Sequence, residues 1–321
     1  MASVAVARAQ GSRWRASYRR ARRVQGLLYA LPAIVYVLLF FIIPIILVGW
    51  MSAHACNLLT CTIPNPGKLN FPANYSAMAE SDLFWPAVGF TIEYTVLATV
   101  LLVGIGLGLA LMAQKPGRWV GFLRTSFLVP GALGLATASL LFWGVYSGAI
   151  GPFNFILDWI NSVGMQLGVI TETSQVSFLG TPTAALLSTT MLIVWKFAGF
   201  YMIILLVGLQ SIPREVYESA AIDGAGRWEM FRSITLPLLR PSLALSLILC
   251  ITGSLLAFDQ FYVLTKGGPD NTTVTVVQLI YREAFTLGKM GIGAAVSIVV
   301  LVALLVLNAA QFRGLRASAT D

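Results

Sequence analysis

Six long apolar runs punctuate the chain, and each is continuously apolar rather than alternating. They fall near residues 27–50, 87–112, 123–147, 184–208, 242–264 and 290–312. Crossing about 30 Å of hydrocarbon takes roughly 20 helical residues, and each run is of that order. In lipid only helices and closed barrels satisfy every backbone N–H and C=O, and barrel strands are alternating and about half as long. The pattern predicts an all-α integral membrane protein with six spans. An even number of spans places both termini on one side.

Composition agrees, with 57% hydrophobic residues, 11% charged and a mean hydropathy of +0.81. The basic residues choose the side. Of 21 Lys and Arg, 16 lie in the N-terminal tail, Lys115–Arg124, Arg214–Arg240 or the C-terminal tail. Lys68, Lys266, Arg282 and Lys289 lie on the opposite side, and Lys196 lies inside the fourth run. Positive charge is retained in the cytoplasm, so both termini are expected there. Residues 1–26 read as a basic tail whose arginines orient the first span and meet anionic headgroups of membrane lipids; nucleic acid is not expected as a partner. The apolar run that follows is too long for a cleaved leader, so it should remain as an anchor. Residues 27–312 form the six-span domain and 313–321 a second cytoplasmic tail.

Between the fourth and fifth runs, in the loop 209–241, lies ESAAIDGAGRWEMFRSITLP, from Glu218 to Pro237. Pro213 fits the first turn of a helix, and Glu215 and Glu218 suit its positive end. The helix should run to about Ile222, thinned by Ser219, Ala220 and Ala221. Asp223, Gly224, Ala225 and Gly226 then make a turn, since Gly accepts left-handed angles. A second helix from about Arg227 to Ile234 brings Trp228, Phe231 and Ile234 to one face, and Pro237 and Pro241 should end it. By residues alone this is either a lever pressed on a partner protein or a solvated loop.

The segment resembles the cytoplasmic signature of permease subunits of ATP-binding-cassette importers: Glu-Ala-Ala, three residues, Gly, nine residues, Ile-x-Leu-Pro. Glu218, Ala220, Gly224, Ile234, Leu236 and Pro237 fall in register. Ser219 replaces the first Ala. The extended form, from Tyr217 to Ala225, is similar to the carbohydrate branch, specifically the larger membrane subunit of maltose-type systems. Asn74-Tyr75, Phe84-Trp85 and Gly151–Leu157 resemble outer loops of that family. Phe258-Asp259 and Leu264–Pro269 resemble its motif at the end of the fifth span, with Lys266 where a Gly is usual. The resemblance implies a coupling element formed by Glu218, Ser219, Ala220, Ala221, Asp223, Gly224, Ala225, Ile234, Leu236 and Pro237. It implies a second homologous permease, two ATPase subunits and an extracytoplasmic solute-binding protein. ATP and Mg belong at the ATPase subunits, with no cofactor bound by this chain.

The sequence holds no G-x-x-x-x-G-K-[ST] phosphate loop, so the chain is not expected to hydrolyse ATP itself, and no nucleophile with base and orienting group at recognisable spacing, which leaves an enzyme reading little support. Cys56 and Cys61 can form a disulfide on the outer side or stay free; Cys250 lies in an apolar run. His54 has no clustered partners, so no metal site is expected.

Charges inside the spans are the handles on what passes through. Lys196 sits mid-span, where an unpaired charge costs roughly 2.5–3.5 kcal/mol on insertion scales, so it should face the bundle interior or water. Glu93 and Asp259 lie nearer the outer side and are candidates to pair with it. Trp195, Phe197, Phe200, Tyr201, Phe258 and Phe261 supply rings that stack on sugars. A carbohydrate path through Lys196, Trp195, Glu93, Phe258, Asp259 and Tyr201 is one expectation; a structural ion pair among ordinary packing is the other. Gly104 and Gly108 are spaced for close helix packing, and Pro130-Gly131 marks a kink. The competing functions are an ion-gradient transporter using Glu93, Lys196 and Asp259 as a relay, and a sensor whose lever docks a signalling protein. Neither an inverted repeat nor a matching pair of broken helices is evident for the former.

Overall fold

The computed structural model describes residues 26, 28–57, 61, 67–114, 117–148, 151–166 and 177–318. The arginine cluster of residues 13–23, Lys115, the end of the C-terminal tail and parts of both long loops lie outside the described residues. Five helices are long and apolar enough to cross a membrane: Leu28–Ser52, Phe84–Met112, Pro182–Gln210, Arg240–Leu264 and Met290–Gly314. These are the first, second, fourth, fifth and sixth spans. The third is broken, its pieces Arg118–Ala132 and Leu135–Tyr146 meeting at 99°. Pro130, which lacks an N–H, sits in a 3₁₀ turn at Val129–Ala132, and Leu133 and Gly134 are then extended. The kink expected at Pro130-Gly131 is therefore a sharp corner.

The fifth span is also interrupted. Its helix Arg240–Leu255 stops, Phe258 leaves helical angles (φ −137°, ψ −64°), and a second piece runs from Asp259 to Leu264. Pro237 and Pro241 do not end the preceding element as their chemistry suggests. The chain stays helical from Arg227 through a π-turn at Phe231–Thr235 and the piece Leu236–Leu238. There the Leu236 N–H reaches back to the Phe231 carbonyl. Pro237 and Pro241 each occupy the first turn of a new piece, where a missing N–H costs little.

The second and fourth spans pack along their lengths, and the fifth lies across both. Gly106 makes that approach possible, since a Cβ there would lie 2.9 Å from the Tyr201 Cβ. Gly104 and Gly108 instead face open space. At 100° per residue the position between them points to the opposite side of the helix, and that side is the packed one. The bundle centres on buried Phe261, edge-on to Phe90 at 5.1 Å and Tyr94 at 4.9 Å. The first span packs on the sixth and is otherwise exposed.

The end opposite the 209–241 loop is knitted by polar groups. Buried Asn74 donates to the carbonyls of Ser52 (2.8 Å) and His54 (2.9 Å), and the Tyr75 hydroxyl meets Ser52 Oγ at 2.9 Å. The Asn74-Tyr75 motif thus ties the first loop to the first span. Cys56 and Cys61 are bonded to each other, and the Gly291 N–H donates to the Cys56 carbonyl at 2.8 Å, joining this loop to the sixth span.

Candidate functional site

Two sites emerge, one at the 209–241 loop and one within the bundle. In the loop, the helix Arg214–Ile222 has no buried residue. Asp223 ends it, and Gly224, in the left-handed region (φ +84°), turns the chain. The Gly224 N–H donates to Ala221 O at 3.2 Å and the Ala225 N–H to Ala220 O at 3.0 Å. These are the two bonds of a Schellman cap, which requires a residue such as Gly at its left-handed position. Ser219 Oγ donates to the Glu215 and Val216 carbonyls at 2.9 and 3.1 Å. Its hydroxyl is therefore satisfied within its own helix, and the substitution for Ala leaves the outer face thin.

The two elements of the loop are held together by one side-chain bond, Tyr217 Oη to Thr235 Oγ1 at 3.1 Å. Thr235 is buried, Ile234 and Pro237 are half-buried, and Glu218, Asp223 and Gly224 are open to solvent. Ile222 is 86% exposed and Trp228 72% exposed, the latter packed beside Phe231 at 5.6 Å. Large apolar side chains thus stand exposed on a charged loop whose first helix ends in a cap.

Within the bundle, the break in the fifth span opens a cavity of about 360 Å³. Three of the six path candidates, Phe258, Asp259 and Tyr201, line it, together with Phe197 and Phe200 from the same set of rings. Two further polar residues, Tyr94 and Gln260, also line it. Gln260 Nε2 donates to the Tyr94 hydroxyl at 3.2 Å, while its buried Oε1 accepts no hydrogen bond. Gln260 was legible as a polar residue inside an apolar run, directly after Phe258-Asp259, although the charged residues drew attention first.

The other three candidates lie elsewhere. Lys196 is buried, as its cost in lipid requires, but pairs with neither Glu93 nor Asp259. Its Nζ donates to the carbonyls of Gly131, at 3.3 Å, and Leu133. Both belong to the corner of the third span, whose backbone acceptors the break has freed. Trp195 packs on Phe142 at 5.1 Å and does not line the cavity. Glu93 is exposed on the outward face of the second span. Among the described residues Glu93, Lys196 and Asp259 form no ion pair with one another. No group of three or more metal-ligating side chains is placed to hold a metal, again among the described residues.

Over residues 103–316 the sequence matches the family of the binding-protein-dependent transport system inner membrane component. The chain belongs to that family. As such a transport component it is 37% identical over 288 residues to the trehalose/maltose transport system permease protein MalF of Thermococcus litoralis, covering 90% of this chain and 92% of that protein. It is 31% identical over 313 residues to the sulfoquinovosyl glycerol transport system permease protein SmoG of Agrobacterium fabrum, covering 98% and 97%. Its fold is similar to a chain in the crystal structure of a bacterial alginate ABC transporter in complex with an alginate pentasaccharide-bound periplasmic protein. The TM-score is 0.75 at 25% identity, over 91% of this chain and 94% of that one. The segment that identifies the family takes in the whole 209–241 loop and all of the cavity lining except Tyr94 and Leu102.

Proposed function

We propose that this chain is a transmembrane subunit of an ATP-driven importer for a sugar or related polar solute. It forms half of the translocation path and couples to a cytoplasmic ATPase through Glu218–Pro237. The observation that carries the reading is the exposed Arg214–Ile222 helix, capped at Gly224 and bonded through Tyr217 to Thr235. A short helix with no core of its own, held rigidly to the next span, has the form of a lever. The charge imbalance puts this loop, both termini and the basic tail in the cytoplasm. The six spans of residues 27–312 are the transport domain.

A second homologous permease completes the path, two ATPase subunits bind ATP and Mg, and a solute-binding protein docks outside. The chain itself catalyses nothing. Closure of the ATPase dimer pushes the lever, and the fifth span carries the motion to the cavity, because Arg227–Leu238 continues into it with one break at Leu239. In the cavity, Phe258, Phe200 and Tyr201 offer ring faces, while Asp259 accepts sugar hydroxyls. The Cys56–Cys61 bond suits the oxidising outer compartment.

Mass spectrometry of everything that co-purifies with the tagged chain in mild detergent tests this proposal. A second permease and an ATPase with a phosphate loop are expected. Recovery of the chain alone, or only as a homo-oligomer, would overturn it.

A further inference from the structure

At the outer end of the bundle, the segment before the second span, the start of the sixth span and the helix Val276–Tyr281 with its π-turn enclose a recess of about 360 Å³. Three carboxylates, Glu80, Asp82 and Glu283, line it with one basic residue, Lys289. Glu283 is only 8% exposed. Among the described residues its carboxylate accepts no hydrogen bond and makes no ion pair. Glu80, Asp82 and Lys289 are exposed and, again among the described residues, unpaired. A carboxylate buried to that degree without a partner is costly, and a cation brought in by a ligand offsets the cost.

A second cavity, of about 420 Å³, is an apolar slot with no charged residue in its wall. Its two polar side chains are satisfied within the protein. Thr91 Oγ1 donates to the Ala87 carbonyl at 2.7 Å and accepts from the Val276 N–H at 3.0 Å. The Trp85 Nε1–H donates to the Ala79 carbonyl at 3.1 Å. A cavity lined in this way stays dry and takes hydrocarbon.

The slot continues the recess toward the bilayer centre on all three walls. Along the second span the recess touches Leu83, and the slot touches Phe84, Val88 and Ile92, on the turns that follow. On the returning helix Leu279 and Glu283 line the recess and Val276, nearer the cavity of the fifth span, lines the slot. On one face of the sixth span Ile292 and Val296 belong to the recess, and Val299, Ala303 and Leu307 to the slot. Met78 lines both and stands at the waist between them. From Phe84 to Ile92 the helix rises about 12 Å, within the roughly 15 Å of hydrocarbon in one leaflet. A charged recess at headgroup level above a dry slot of leaflet depth matches an amphiphile, and carboxylates beside a lysine match a zwitterionic head.

We propose that this seam between the second and sixth spans binds a phospholipid with a primary-amine headgroup, phosphatidylethanolamine, from the outer leaflet. Its ammonium sits among Glu283, Asp82 and Glu80, its phosphate beside Lys289, and one acyl chain runs past Met78 into the slot. A choline headgroup has no N–H to donate and a glycerol headgroup has no cation, so both suit the recess less well. The lipid braces the segment that carries Glu283. That segment starts at the broken fifth span, where Thr275 Oγ1 donates to the Ala257 carbonyl at 2.7 Å. The site stands whether or not a sugar crosses the bundle.

The test is native mass spectrometry of the complex purified in detergent with its partner subunits. The complex is delipidated and titrated with phosphatidylethanolamine, phosphatidylcholine and phosphatidylglycerol of identical acyl chains. The ethanolamine lipid should bind at least fivefold more tightly than the other two. Glu283→Gln should abolish that preference, and Ala303→Phe, which fills the slot from an exposed position, should weaken binding of the ethanolamine lipid at least fivefold. Asp82→Asn, at an exposed position, should halve the preference and carries the headgroup test if Glu283→Gln does not assemble. No preference in the wild type, a preference that survives the carboxylate variants, or binding indifferent to Ala303→Phe would overturn the site. Protection of Glu283 from a carbodiimide by the solute-binding protein and not by the lipid would also overturn it, giving the recess to a basic side chain of that protein.

Discussion

Lys196 Nζ donates to the Gly131 and Leu133 carbonyls, so a buried cation closes the end of the first half of the broken third span. That end carries the partial negative charge of its helix, and a lysine beside it is favourable. Gly199, on the same span as Lys196, lets the corner come close, because a Cβ there would run into the Phe127 carbonyl. The fourth span thus holds the 99° corner of the third. Lys196 fixes the corner rather than meeting a carboxylate.

Lys196→Met follows from that role. The variant keeps the length of the side chain but strands two carbonyls, at a cost of about 1–3 kcal/mol. Thermal unfolding in detergent should show a lower midpoint, and the rate of uptake should fall while the KM for transported sugar stays unchanged. A raised KM with unchanged stability would return Lys196 to the substrate path.

Asp259→Leu addresses the cavity directly. Asp259 is exposed to the cavity and carries no structural bond, so assembly should be preserved. Hydrogen bonds to a charged group are worth about 1.5–3 kcal/mol, which converts to roughly 10–100-fold in affinity. The KM for uptake should rise by that factor, and Asp259→Asn should recover part of it.

Lys266→Gly should stabilise the protein. Lys266 has φ +52° and an exposed side chain, and a left-handed L-residue costs roughly 1–2 kcal/mol. The extra freedom of glycine in the unfolded chain returns about 0.4–1 kcal/mol of that. A net gain on the order of 0.5–1 kcal/mol should appear as a raised unfolding midpoint with uptake unchanged.

Much of the fold was legible because lipid enforces length and apolarity. Each of the six runs corresponds to a span, five of them continuing in one direction, the fifth span with a break at Phe258, and the third bent sharply into two pieces. The 209–241 loop was legible too, since Asp223-Gly224 is a helix stop by local chemistry alone. Tertiary choices were not. Nothing local distinguishes Gly106 from Gly104 and Gly108, and the packed face decided it. Lys196, Glu93 and Asp259 looked like potential ionic partners, yet the corner at Pro130 offered backbone carbonyls that satisfy a lysine without a carboxylate. Prolines at 237 and 241 ended nothing, because a π-turn and a fresh helix start absorb them.

The central claim is that Glu218–Pro237 transmits ATPase closure, and Gly224→Asp in the reconstituted complex tests it most directly. A Cβ at Gly224 meets no atom within 4 Å, so packing is undisturbed. The left-handed angle then carries the cost, about 1–2 kcal/mol, which reshapes the cap and the set of the lever. ATP hydrolysis and solute uptake would be measured on the same proteoliposomes. The account predicts a fully assembled complex that still hydrolyses ATP while uptake falls at least tenfold. Wild-type uptake by that variant would contradict it.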